Sequence, residues 1–176
     1  MDFIEILFAI LVITHSGAIT LGVGASTIAI AGFLTAIVDG TFDPSERRIM
    51  GVVYISLRVA MITILLMSLG IFLMRPDFFG EFTLPMWVLV AVLYVNAFLM
   101  TKHLISMQVG PALQAGTWYT LGFLLTIYVF NLFPLASWLS FSIFFADVAL
   151  GVLTVHICMQ YAKRHKSAPQ TPEQHG

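Results

Sequence analysis

The sequence predicts an all-α integral membrane protein, a bundle of five transmembrane helices with a long first helix. Three observations carry this. Apolar residues make up 59% of the chain and charged residues only 10%, against roughly 45–50% and about 25% in soluble domains. Mean hydropathy is +0.96, and a soluble fold of 176 residues leaves too much of its surface in water to hide so much apolar material. The apolar residues also fall into five runs of about 20 residues or more, the length that crosses a bilayer core of roughly 30 Å.

The first run is Phe3 to Val38. As a single helix it measures about 54 Å, nearly twice the hydrocarbon thickness. Two half-spans broken near Gly22-Val23-Gly24 would leave backbone groups unpaired in lipid, so one long helix is expected. The second run is Gly51 to Met74, and its helix should open earlier, at Asp43-Pro44-Ser45-Glu46. There an N-cap aspartate, a proline at the first position and a glutamate at the third form a start signal. The third run is Leu84 to about Ser106, the fourth Pro111 to Phe133 and the fifth Ser137 to Tyr161. Pro85, Pro111 and Pro134 sit near helix starts, where proline is tolerated. Residues 1–165 form one transmembrane domain, and the polar stretch 166–176 is predicted to be a disordered cytoplasmic tail.

Orientation follows from the cations. With the C-terminus inside, the cytoplasmic side holds Arg47, Arg48, Arg58, Lys102, Lys163, Arg164 and Lys166, and the outer side only Arg75. That bias places the N-terminus outside, in the cell (inner or plasma) membrane. The Met1-Asp2 start lacks the positive region of a cleavable signal peptide, so the first helix is expected to persist. A net charge of -1 offers no basic footprint for nucleic acid. The single Cys158 excludes an intrachain disulfide framework. Phosphate-binding glycine loops, HExxH, GxSxG and span repeats are absent, and no catalytic residue is assigned.

Ionisable and polar residues inside a membrane are costly, which makes them functional candidates. His103 and His156 each lie about 28 Å below the outer edge of the apolar core, near the cytoplasmic face. Arg58 lies about 10 Å in from that face. Two imidazoles from different helices can ligate a haem iron from its two sides, with an arginine on the propionates. The plainer alternative is three interfacial side chains reaching toward headgroups.

His15 is about 18 Å from the outer edge, too deep for that. Its face continues through Ala18, Gly22, Ser26 and Ala29, small residues that permit close helix packing or make room for a flat macrocycle. Asp147 is about 15 Å into the fifth helix, on the face opposite His156. Asn96 shares a face with His103, and Asp147, Asn96 and His15 are candidates for a midplane polar cluster. Trp118, which shares a face with Gln114 and Thr117, is a pocket wall or core filling.

Three segments carry a resemblance. They are His15-Ser16-Gly17-Ala18 with Leu21-Gly22-Val23-Gly24-Ala25-Ser26, the turn Ser45-Glu46-Arg47-Arg48-Ile49-Met50, and Asn96-Ala97-Phe98-Leu99-Met100-Thr101-Lys102-His103. Together, over roughly residues 8–105, they resemble the small multi-span membrane proteins related to the CopD copper-resistance proteins and to HemJ-type protoporphyrinogen oxidase. The resemblance implies a haem tie for His15. The HemJ type also carries a lysine in its third span, and the nearest counterpart here is Lys102 at the end of that span. The nine methionines are scattered like core residues rather than grouped as copper ligands.

The expectation drawn from all this is a haem-associated integral membrane protein, a small b-type cytochrome or a haem or porphyrin handler. Haem b is the cofactor, held by His15, Arg58, His103, Trp118 and His156. His15, His103 and His156 are the candidate iron ligands, and Asn96 and Asp147 orient them. Depth alone keeps His15 from sharing an iron with the other two. The lipid bilayer is the first partner, with a redox partner and further copies of the chain beside it. The competing class is a cofactor-free transporter-like or scaffold bundle built on Asp147 and His15. A copper protein using His and Met ligands is a third.

Overall fold

The computed structural model describes residues 2–39, 43–106, 109–130 and 137–166. The described residues are all-helical apart from short turns: α1 Phe3–Asp39, α2 Pro44–Met74, α3 Thr83–Thr101, α4 Val109–Phe130 and α5 Ser137–Lys166, with a single 3₁₀ turn at Gly80–Phe82. The expected end of the fourth span at Phe133, Pro134 and the tail 167–176 lie outside the described residues.

The first helix is unbroken, running through Gly22-Val23-Gly24. Neither glycine needs to bend the chain, and Gly22 has a packing role taken up below. The start of α2 follows the capping signal. Asp43 is extended, Pro44 takes the first helical position, and the Asp43 backbone N–H donates to the Glu46 carboxylate at 2.9 Å. At its far end the Arg75 N–H donates to the Ile71 carbonyl. The Arg75 guanidinium stacks over the Phe8 ring at 4.5 Å, tying the starts of α1 and of the α2–α3 turn together. We call this the Phe79 end of the bundle; the opposite, Pro111 end carries the α3–α4 connection.

The third helix is shorter than expected. It stops at Thr101, so His103 lies beyond it and not on a helix face with Asn96. The stop is a Schellman turn: the Leu104 N–H donates to the Leu99 carbonyl, and the His103 N–H to that of Met100. This places His103 at φ 55°, the left-handed position usually given to glycine. Histidine is among the residues that tolerate it, at a cost of about 1–2 kcal/mol relative to a right-handed conformation. A His103→Gly variant should therefore gain up to about 1 kcal/mol of stability, read as a higher thermal midpoint in detergent, whereas His103→Val should lose stability.

Four of the helical segments are long and apolar enough to cross a membrane: Phe3–Thr35, Pro44–Met74, Gly80–Thr101 and Trp138–Ala162. The helix outside that set, α4, is the most buried of the five, though Phe123, Val129 and Phe130 on it are exposed. It packs against α1, α3 and α5, and Ala112, Ala115, Trp118, Leu121, Leu124 and Ile127 on it are buried. Its protein-facing side can carry Gln114, Tyr119 and Thr120 because neighbouring helices bond them, and Thr117 because it donates to the Leu113 carbonyl of its own helix. The outward faces of the other helices are lined by exposed Leu, Ile, Val and Phe, such as Ile13, Leu73, Phe145 and Leu150. Hydroxyls on several helices are satisfied within their own turn; Ser16, Thr35, Thr126 and Thr154 each donate to the carbonyl four residues back.

Glycines set the helix spacings. A Cβ on Gly22 would overlap the Trp118 indole, and one on Gly116 would come within 2.8 Å of Val148. Gly151 faces Ala112, where a Cβ would sit 3.2 Å from the alanine methyl. The small stripe of α1 thus receives the α4 tryptophan, and the glycines of α4 and α5 let those two backbones approach closely.

Candidate functional site

The polar side chains converge on α4. The Asn96 amide of α3 donates to the Gly110 carbonyl at 3.0 Å and to Gln114 Oε1 at 3.1 Å. Gln114 in turn directs its amide at the Met61 sulfur of α2. Tyr119 lies 3.0 Å from the Thr27 hydroxyl of α1. The Thr27 proton is committed to the Val23 carbonyl, so Tyr119 is the donor. Near the Phe79 end, Tyr128 donates to the Phe78 carbonyl at 2.9 Å. Each of these bonds joins α4 to a different neighbour.

The remaining bond reaches α5. Thr120 Oγ1 lies 2.8 Å from Asp147 Oδ2 and 2.8 Å from the Gly116 carbonyl of its own helix. Thr120 is buried and Asp147 is half-buried. The carboxyl group borders a cavity of about 200 Å³ between α1, α4 and α5, whose walls include Phe33, Ala115, Tyr119, Gly151 and Thr154, with the largely exposed Leu150 at its edge. No lysine, arginine or histidine borders it among the described residues. A smaller cavity of about 40 Å³ adjoins it across Ile30, Phe33, Pro111 and Ala115, reaching Ser26 and Gln114. The buried Ser26 hydroxyl has no hydrogen-bond partner among the described residues.

The histidines are scattered. His15 is buried, its ring 5.4 Å from that of Phe79, and its Nε2 has no hydrogen-bond partner among the described residues. It borders a cavity of about 30 Å³ at the Phe79 end, walled by Phe82, Met86, Leu124 and Tyr128 among others. His103 is exposed in the turn at the other end of α3, about 28 Å away along that helix. His156 is exposed on α5, its Nε2 2.9 Å from the Gln160 amide one turn on. Arg58 is exposed on α2.

Of the pair expected to share an iron, His103 is thus exposed in the turn after α3 and His156 is exposed on α5 beside Gln160, while His15 is buried at the other end of the bundle. The cavity beside His15, at about 30 Å³, is far below the roughly 300–1,000 Å³ of pockets that take drug-sized ligands. In the stripe beneath His15, Gly22 is covered by Trp118, which is fully buried in the α1–α4 interface, while Ser26 and Ala29 border the smaller cavity of about 40 Å³. Asn96 pairs with Gln114 rather than with Asp147 or His15, so the polar residues are separate helix-to-helix bonds and not one cluster. Among the described residues no group of three or more His, Cys, Asp or Glu side chains is placed to hold a metal ion.

No family model, curated protein or solved structure matches this chain. The site therefore stands on its own geometry. Thr120 and Tyr119 are the participants that the sequence reading passed over. Their signal was present in the fourth span, whose hydroxyls, amide and indole are dense for a helix facing lipid.

Proposed function

We propose that the chain is a five-span membrane protein, N-terminus outside and C-terminus in the cytoplasm, that binds and passes a small solute through the pocket at Asp147. One observation carries this reading. A carboxyl group about 15 Å along a membrane-length helix opens onto a cavity of about 200 Å³ that is otherwise mostly apolar. A scaffold has no use for such a group, because an ionisable residue at that depth costs stability. Helix-to-helix bonds elsewhere in the bundle are made with neutral Asn96, Gln114, Tyr119 and Tyr128. The burial of α4 against its neighbours supports counting it as the fifth span, and the exposed Arg47, Arg48 and Lys102 support placing the Pro111 end in the cytoplasm.

Two measurements test the reading. In a Cys158→Ser background, a cysteine at Asp77 should react with an impermeant maleimide added outside intact cells, and one at Ser106 only after lysis. The opposite pattern rules out the orientation. For the pocket, a thermal-shift panel of small cations, anions and neutral solutes in detergent should yield a class that stabilises the wild type but not Asp147→Asn. A panel in which every shift survives that substitution counts against the pocket.

A second reading is kept for one observation, the buried His15 Nε2 without a partner, which is where the resemblance puts a haem ligand. A Soret band that shifts on dithionite addition, and is lost in His15→Ala, would favour it. A featureless visible spectrum after expression with added haem leaves the solute-binding bundle.

A further inference from the structure

The hydrogen-bond inventory around Asp147 says what kind of solute the pocket takes. Thr120 has one hydroxyl proton and two acceptors, the Gly116 carbonyl and Asp147 Oδ2, each at 2.8 Å. One proton cannot serve both. The pocket's other hydroxyls are already spent: Thr154 donates to the Leu150 carbonyl, and Tyr119 donates to Thr27. Asp147 has no further hydrogen bond or ion pair among the described residues. The cavity therefore contains a carboxyl group short of donors, with no cation facing it among the described residues.

The rest of the wall fits the same conclusion. The rings of Phe33 and Tyr119 border the cavity, and aromatic faces attract an organic cation. A bare alkali or alkaline-earth ion wants six or so oxygen ligands, more than Asp147, Thr120, Tyr119 and Thr154 supply. Anionic solutes meet only repulsion from the carboxylate. A neutral solute gives it at most an uncharged donor.

We infer that the Asp147 pocket binds a small organic monocation, an ammonium head carried on an apolar body, with N–H groups donating to the carboxylate and the body against Phe33, Tyr119 and Leu150. This deepens the solute-binding reading and rests on it.

The experiment is titration calorimetry of benzylammonium chloride, and of its neutral counterpart benzyl alcohol, into protein in lipid nanodiscs. Wild-type protein should bind benzylammonium saturably and benzyl alcohol weakly. Asp147→Asn, which keeps an acceptor for Thr120, should weaken benzylammonium by roughly 10- to 100-fold, the worth of a charge-assisted hydrogen bond. Thr154→Leu should also weaken it by taking up cavity volume, and since that hydroxyl bonds only its own helix, the fold should survive. Asp147→Glu should retain binding. Equal binding of the alcohol and the ammonium, or benzylammonium binding that ignores both substitutions, overturns the inference. If the thermal-shift panel gives an Asp147-dependent neutral or anionic solute while benzylammonium fails, the cation class falls and the pocket stands. If nothing in the panel depends on Asp147, both fall.

Discussion

Trp118→Ala is expected to cost about 3–5 kcal/mol of stability, the range for emptying a fully buried aromatic position. The indole is completely enclosed and is the piece of α4 that covers Gly22 in the small-residue stripe of α1. Its ring lies where a Cβ of residue 22 would stand, so the reciprocal change, Gly22→Ala, forces the same interface apart and should cost about 1–3 kcal/mol by overpacking. The two substitutions share one volume and cannot be independent. In Trp118→Ala the added methyl of Gly22→Ala enters the vacated space, so the double variant should be more stable than the sum of the singles. Unfolding should be followed by far-ultraviolet circular dichroism in mixed micelles, since the substitution removes a fluorophore. Strictly additive losses would mean that Trp118 and Gly22 are not in contact, and the α1–α4 packing described above would be wrong.

That interface also shows which parts of the molecule were legible in the sequence. Helical spacing put Ala18, Gly22, Ser26 and Ala29 on the face of His15, and Ala18, Gly22 and Ser26 are buried together. Spacing on one helix says nothing, however, about what a neighbour presents to it, and only the packing of α4 puts Trp118 against Gly22. The unbroken first helix and the Asp43–Glu46 start were readable because each depends on local backbone chemistry: unpaired groups are excluded from lipid, and caps are made by residues close in sequence. His103 was misplaced because helix ends are usually read from glycine or proline, and here a histidine holds the left-handed position. The same limit applies to Asn96 and Asp147. Depth placed them together, but their bonds run to Gln114 and Thr120, and only the packing of α4 between α3 and α5 decides that.

Asp147→Leu should make the protein more stable while ending any Asp147-dependent binding. The carboxyl group is held by one neighbour, and that neighbour does not need it. When the carboxyl is removed, the Thr120 hydroxyl can give its proton to the Gly116 carbonyl 2.8 Å away, so no donor is left stranded. The leucine side chain extends into a cavity already bordered by Leu150, Ala115 and Val155, trading an ionisable group for apolar contact. Replacing a buried ion pair with well-packed apolar side chains is often neutral or stabilising by about 1–4 kcal/mol, and for one half-buried carboxyl a gain of up to about 1 kcal/mol is expected. Asn96→Leu provides the contrast. It removes a clamp whose partners, the Gly110 carbonyl and Gln114, then lose a donor, so it should lose about 0.6–1.7 kcal/mol. The signs should differ because Asn96 bonds one helix to another, whereas the role proposed for Asp147 is binding and not clamping. Thermal midpoints of the two variants in one detergent decide the matter. A destabilised Asp147→Leu would make the Thr120–Asp147 bond a structural clamp like the others, and the pocket beside it a packing defect instead of a binding site.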